Sequence, residues 1–163
     1  TIPASYPSLA SAAGTKLSIS TTAPATHTAA GFDGIAAGSW KDVGFITSPG
    51  GFPRGVREYE DVDLLDGSSL VIIQPERMEG IEVEAVYQPD DAGQAAVQAA
   101  SNGKTIVWFR WTTPAGRKVY CAGYVTGYAP NVEDVTGYVS ATFTIKPIYD
   151  ATGSGAVYGA ATP

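Results

Sequence analysis

A chain of 163 residues fits one domain and is long enough to bury a true core. It carries a net charge of −6, is 44 % hydrophobic and only 16 % charged, below the ~25 % of an average domain. With no Lys/Arg-rich run it has no phosphate-neutralising footprint, with no run of about 18 apolar residues it has no membrane-spanning helix, and with Cys121 as its only cysteine it closes no internal disulfide. The missing charge is replaced by Gly, Ala, Ser and Thr, a surface that is either covered by partners or simply bland.

Residues 1–14 are Ala, Ser and Pro with little pattern and read as an N-terminal arm. They lack the charged and then apolar regions of a signal peptide, so the simplest compartment is the cytoplasm, and a start at Thr1 is consistent with loss of an initiator Met or with trimming. TKLSIS (15–20) predicts a strand, the Thr/Ala/Gly-rich stretch 21–39 a loop or insertion, and WKDVGFIT (40–47) a second strand. PGGFPRG (49–55) is a strong turn signal. Residues 56–74 predict a long hairpin whose turn is DLLDGSS. In 76–87, Ile81, Val83, Ala85 and Tyr87 alternate with Glu82, Glu84 and Val86, the period of a half-buried strand.

Pro89 stops that strand, and Asp90 or Asp91 caps a helix over 90–102 whose Ala92, Ala95, Ala96 and Ala99 make a small-residue face. Asn102-Gly103 reads as its exit, with glycine taking the left-handed conformation. TIVWFRWT (105–112) predicts a strand with Trp108 on one face and Phe109 and Trp111 on the other. A Pro114-Ala115-Gly116 turn follows, then a strand over 118–130 whose glycines mark bends or bulges. The last long strand, 135–149, sets Val139, Ala141, Phe143 and Ile145 against Ser140, Thr142, Thr144 and Lys146. The expected fold is a mainly β, antiparallel sandwich or partial barrel of about seven strands with one flanking helix, occupying 15–150, followed by a low-complexity tail over 151–163.

Few residues offer chemistry. His27 stands alone in a Thr/Ala/Gly-rich loop with no G-x-S-x-G elbow, and reads as a solvated loop histidine. His27 and Cys121 are too few for a zinc site. Asp61-Val62-Asp63-Leu64-Leu65-Asp66-Gly67 is out of step with a calcium loop and has Ile72 where the closing Glu belongs, so an acidic turn is the plainer reading. Glu82 and Glu84 share a strand face as a glycosidase pair could, or simply form a solvated polar face. The Gly153–Gly159 run lacks the spacing and the strand–helix context of a dinucleotide loop. The aromatic residues are spread through the strands, which favours packing over a sugar platform. No nucleophile–base pair emerges, and the reading is of a protein that is not an enzyme and needs no metal or cofactor.

The order of motifs carries a resemblance. A G-T-K-L strand (14–17) precedes W-x-x-V-G (40–44), an acidic D-V-D-L-L-D-G loop (61–67), P-D-D-A-G-Q-A-A-V (89–97), a P-A-G turn (114–116), G-Y-V (123–125) and V-S-A-T-F-T-I-K-P (139–147). This resembles the major tail tube proteins of long-tailed, lambda-like bacteriophages over about residues 14–148. The resemblance implies a β-sandwich flanked by one helix, hexameric rings stacked into a tube that conducts DNA, and inner strands joined into one barrel around the channel. It implies a virion tail protein assembled in the host cytoplasm, whose partners are its own copies, the tail terminator, baseplate or tail-tip proteins and the tape measure protein. Genomic DNA would pass only transiently and no membrane would be involved. The chain departs from some relatives in having no C-terminal immunoglobulin-like domain.

Three expectations follow. Residues 56–75, with Asp61, Asp63, Leu64, Leu65 and Asp66, contact the next ring. Glu82 and Glu84, or the face of Thr142 and Thr144, line the lumen, where acidic side chains repel phosphates. The arm over 1–14 and the tail over 151–163 are ordered only in the assembly, and other subunits complete the edges of the strands flanking the helix. The alternative is a β-sandwich binding module, such as a decoration or carbohydrate-binding protein.

Overall fold

The computed structural model describes residues 14–48, 50–53, 55–56, 58–73, 77–132, 137–148 and 156–159, with residues 55 and 56 described by their backbone. In chain order the strands are β1 (Lys16–Ser20), β2 (Lys41–Asp42), β3 (Ile46–Ser48), β4 (Gly55–Val56), β5 (Tyr59–Asp63) and β6 (Ser69–Ile73). They continue as β7 (Arg77–Met78), β8 (Ile81–Val86), β9 (Val107–Thr112), β10 (Lys118–Asn131), β11 (Ser140–Ile148) and β12 (Ala156–Tyr158). The helices are α1 (Ala29–Asp33) and α2 (Ala92–Gly103).

One sheet runs β2-β1-β9-β10-β11-β8-β3, every neighbour antiparallel, and curls into a half-barrel. Its two edge strands, β2 and β3, are consecutive in the chain. The Val43 N–H still bonds the Leu17 carbonyl on one edge at 2.8 Å, while the Phe45 carbonyl accepts the Val86 N–H on the other at 2.8 Å. Only Gly44 lies between them. The segment WKDVGFIT is therefore not one strand, as its pattern predicts, but two short ones on opposite edges. Once the edges have come together, the three residues Val43 to Phe45 suffice to cross between them.

Gly44 has no strand partner, so α2 supplies one for each of its polar groups. The Asp91 carboxylate, which caps α2 by accepting the Gln94 N–H at 3.0 Å, also accepts the Gly44 N–H at 3.0 Å. Gln94 is buried, and its amide donates to the Gly44 carbonyl at 3.0 Å and to the Val86 carbonyl at 2.8 Å while accepting the Gln88 N–H at 3.0 Å. The helix can lie this close because residue 93 is glycine: a Cβ there would stand 2.2 Å from the Asp42 carbonyl oxygen. Gly93, Gln94, Val97 and Ala100 form the buried stripe of α2, at the spacing of one helical face.

The inward face of the curl holds Leu17, Ile19, Ile81, Val83, Phe109, Trp111, Val119, Cys121, Val125, Phe143 and Ile145, closed over by Val97 and Ala100. The alternation expected for β8, β9 and β11 is the alternation observed. Each large side chain sealed there contributes about 1.5–3 kcal/mol. β10 changes register with β11 between Thr126 and Ala129, where Gly127 takes a φ of 67°, the bulge that its glycines predicted. The outward face of β1, β9 and the first half of β10 is covered by a second small cluster. Here Phe32 stacks on Tyr120 at 4.8 Å, with Ile35, Trp40, Trp108 and Val157 around them, and Arg110 lies 4.6 Å over the Trp40 ring.

Several expectations need correction. Residues 21–39 are not merely a loop: Thr28 caps α1, a 3₁₀ turn spans Ala37–Ser39, and Tyr120 donates to Asp33 to hold the segment down. His27 is half-buried against the Phe32 ring, centroids 5.3 Å apart, rather than free in solvent. The helix is 92–103 instead of 90–102, and the left-handed residue at its exit is Lys104, with φ 51°, not Gly103. Neither strand flanking α2 has an open edge: β8 lies between β11 and β3, and β9 between β1 and β10. In the expected tail, Ala156–Tyr158 pairs with Val119–Cys121 of the same chain and resumes the lane that β11 leaves at Ile148. The rest of the arm and tail, residues 1–13, 151–155 and 160–163, lies outside the described residues.

Candidate assembly surfaces

The expected hairpin is present and stands out from the barrel. Among the described residues, β5 and β6 pair only with each other, from Tyr59 opposite Ile73 to Asp63 opposite Ser69. β4 and β7 pair at its base, where the exposed side chains of Arg77 and Glu58 form an ion pair. Successive side chains of β6 point to opposite faces, and Leu70, Val71, Ile72 and Ile73 are all exposed, so both faces of the ribbon present apolar surface to water. A two-stranded ribbon of this kind is marginally stable alone and gains from being covered.

The tip is ordered by its own polar groups. The Gly67 N–H bonds the Leu64 carbonyl at 3.0 Å, and the Leu64 N–H bonds the Ser68 carbonyl at 2.8 Å. Asp66 accepts from the Ser68 hydroxyl at 2.5 Å and from the Ser68 N–H at 2.9 Å, and these two bonds hold its carboxyl below its ordinary value of 3.8. The turn pushes Leu64 and Leu65 outward, and Leu65 is fully exposed. Asp61 and Asp63 lie along β5 beside them. No cluster of three His, Cys, Asp or Glu that could hold a metal occurs among the described residues.

The second surface unites two alternatives that the sequence kept apart. Thr142 pairs with Glu84 and Thr144 with Glu82 across β11 and β8, so all four share the outward face. Tyr124 and Thr126 extend that face on β10, opposite Lys146 and Thr144. The exposed Lys146 ammonium shares this face and donates to the Met78 carbonyl at 3.2 Å, so the β8–β11 pair carries two carboxylates and one ammonium outward. α1 and its cluster do not reach this half of the sheet.

One residue in this region gave no signal in the sequence. Phe45 adopts a φ of 60° with its side chain 59 % exposed. Left-handed backbone in a bulky residue is a genuine outlier, and nothing in a side-chain pattern reveals it. Asp91 was visible as a helix cap and Gln94 only as part of D-A-G-Q; together they hold Gly44, the residue before Phe45.

No protein-family model matches the chain, and no curated protein matches it. Solved structures share its fold. The sheath/tube terminator of an extracellular contractile injection system, PVC, in its extended state, superimposes with a TM-score of 0.56 over 97 % of this chain and 100 % of that one, at 9 % identity. The tube-terminating cap of the anti-feeding prophage superimposes with a TM-score of 0.51 over 89 % of each chain, at 12 % identity. The shared fold is that of phage-tail-like tube-end proteins. At these identities the likeness is one of fold alone.

Proposed function

We propose that this chain is a structural subunit of a phage-type tail tube, forming hexameric rings that stack into a channel for DNA. The observation that carries the reading is the free-standing Tyr59–Ile73 ribbon, which bares Leu64, Leu65 and the whole of β6 to water on a chain with a complete core of its own. A ribbon of this composition gains by seating against another subunit. The likeness to tube-end proteins over nearly the whole chain supports the class. The Glu82, Glu84, Thr142 and Thr144 face fits the channel lining: its carboxylates repel phosphates, so DNA slides instead of sticking. Partners on this reading are the chain's own copies, the tail terminator, tape measure and tail-tip proteins, with DNA only in passage. Neither a catalytic step nor a cofactor belongs to it.

A second reading is favoured by one observation. The fold match spans the full length of a sheath/tube terminator, so a ring that caps the tube instead of repeating along it has the same support from fold. Negative-stain electron microscopy of purified protein separates the possibilities. A tube subunit gives tubes of uniform width, a terminator gives single rings that bind tube ends, and a binding module stays monomeric. Replacing Asp63 and Asp66 by Lys is expected to leave the fold intact and block stacking. Tubes of normal length from that variant would remove the ribbon from the ring-to-ring contact.

A further inference from the structure

The strained Phe45 has a use that the ribbon itself points to. A register row crosses four lanes at one end of the barrel. Asn131 pairs with Ser140, Ser140 pairs with Val86, and the Val86 N–H bonds the Phe45 carbonyl at 2.8 Å. At lane spacings of ~4.8 Å the row is about 14 Å wide, enough for a two-stranded ribbon. Three large apolar residues stand exposed on it or just beyond: Phe45 at 59 %, Val132 at 69 % and Tyr138 at 59 %.

The ribbon leaves from the other end. Its base, β7, precedes Ile81 at the start of β8, whereas the row lies at Val86, where β8 finishes. A six-residue strand separates the two ends by roughly 20 Å. One molecule thus carries an exposed apolar projection at one end of β8 and an exposed apolar rim at the other. Two unlike surfaces at opposite ends cannot satisfy each other within a chain, and they generate a head-to-tail stack that does not close. The backbone supports a receiving role for Phe45. Its left-handed conformation directly follows Gly44, whose N–H and carbonyl are held by Asp91 and Gln94, and a strained backbone beneath an exposed ring is the pattern of a presented contact.

We propose that Phe45, with Val132 and Tyr138, forms a docking rim for a second copy of this chain, and that its occupant is the Leu64-Leu65 tip of that copy's ribbon. The proposal rests on the tube reading and deepens it by naming the receiving surface.

The test uses the full chain in three forms: wild type, Phe45→Gly, and Leu64→Ser with Leu65→Ser. Glycine is at ease at positive φ, so Phe45→Gly melts at or above the wild-type temperature. It nevertheless needs a concentration at least ~30-fold higher for half-assembly, the loss of one central aromatic contact. Phe45→Asn, which also tolerates this backbone, shows the same defect. The ribbon variant fails alone in the same way. Mixing it with Phe45→Gly restores one sound rim-to-ribbon contact, so assembly resumes and stops at two layers. Normal stacking by Phe45→Gly, or no rescue on mixing, overturns the rim while leaving the tube reading standing. Wild-type protein that stays monomeric at every concentration overturns both.

Discussion

Replacing Gln94 by Leu tests whether the half-barrel is held shut by this one side chain. Leucine keeps the volume and the helix propensity of the site, so the change isolates the hydrogen bonds. Three are lost: those to the Gly44 carbonyl at 3.0 Å, to the Val86 carbonyl at 2.8 Å and from the Gln88 N–H at 3.0 Å. Gln94 itself is 1 % exposed, whereas Gly44, Val86 and Gln88 are each half-buried. Water can partly reach the abandoned groups, which puts the loss near 1 kcal/mol per bond, or about 3 kcal/mol together. For a domain of this size that lowers Tm by about 6–12 °C. Thermal unfolding of the monomer, followed by circular dichroism below the assembly concentration, reads it directly. Gln94→Glu sharpens the test. It keeps the acceptor for Gln88 but turns carboxylate oxygen toward two carbonyls, so at neutral pH it destabilises more than leucine does. Burial raises the pKa of that carboxyl above its unfolded value. Its penalty is therefore absent below the unfolded pKa of ~4.3 and grows as pH rises above it, so acid partly rescues this variant and not the leucine one. A Tm within about 2 °C of wild type for Gln94→Leu would refute the argument that Gln94 closes the sheet.

Gly93→Ala is expected to cost about as much as Gln94→Leu, because its Cβ would meet the Asp42 carbonyl oxygen at 2.2 Å, with the Val43 Cα close behind; a loss of about 2–4 kcal/mol or insoluble protein is expected, and a well-folded alanine variant would contradict the close approach of α2. Cys121 faces the core opposite Phe109, fully buried, and burial pushes its thiol well above the ordinary range. It should react with a thiol reagent at pH 8 only as fast as the chain unfolds, and rapid labelling of native protein would show the core to be open. Asp66 has a lowered pKa in the folded turn, so the stability it lends the tip is present above its unfolded value and is lost as pH falls through the folded one. Titration of its carboxyl by NMR should give a midpoint below 3.8, and Ser68→Ala should return it toward that ordinary value.

The local levels of this fold were legible in the chain. A period of two placed Ile81, Val83 and Ala85 inside and Glu82 and Glu84 outside, because successive side chains of a strand point to opposite faces whatever the strand pairs with. Asp91 as a helix cap was legible because capping is settled within one turn. The ribbon was legible because its turn chemistry lies within a few residues. Asp61 and Asp63 lie on β5 and Asp66 in the turn that follows, while their contact with another ring belongs to the proposal. Phe45 was missed, since an exposed phenylalanine beside a glycine has no pattern of its own.

What the tertiary structure alone decided is how distant segments share the sheet. Residues 40–47 read as one strand, and the closing of the curl divided them between two edges. Glu82 and Glu84 came to face Thr144 and Thr142 because β8 and β11, far apart in sequence, pair in that register. Ala156–Tyr158 is low-complexity by composition and a strand only because β10 extends beyond the end of β11 and offers Val119 to Cys121 for pairing. The physical reason is common to all three. Side-chain alternation and capping are settled by energies acting within a few residues, whereas pairing partners are chosen by hydrogen-bonding groups that the whole chain must satisfy at once.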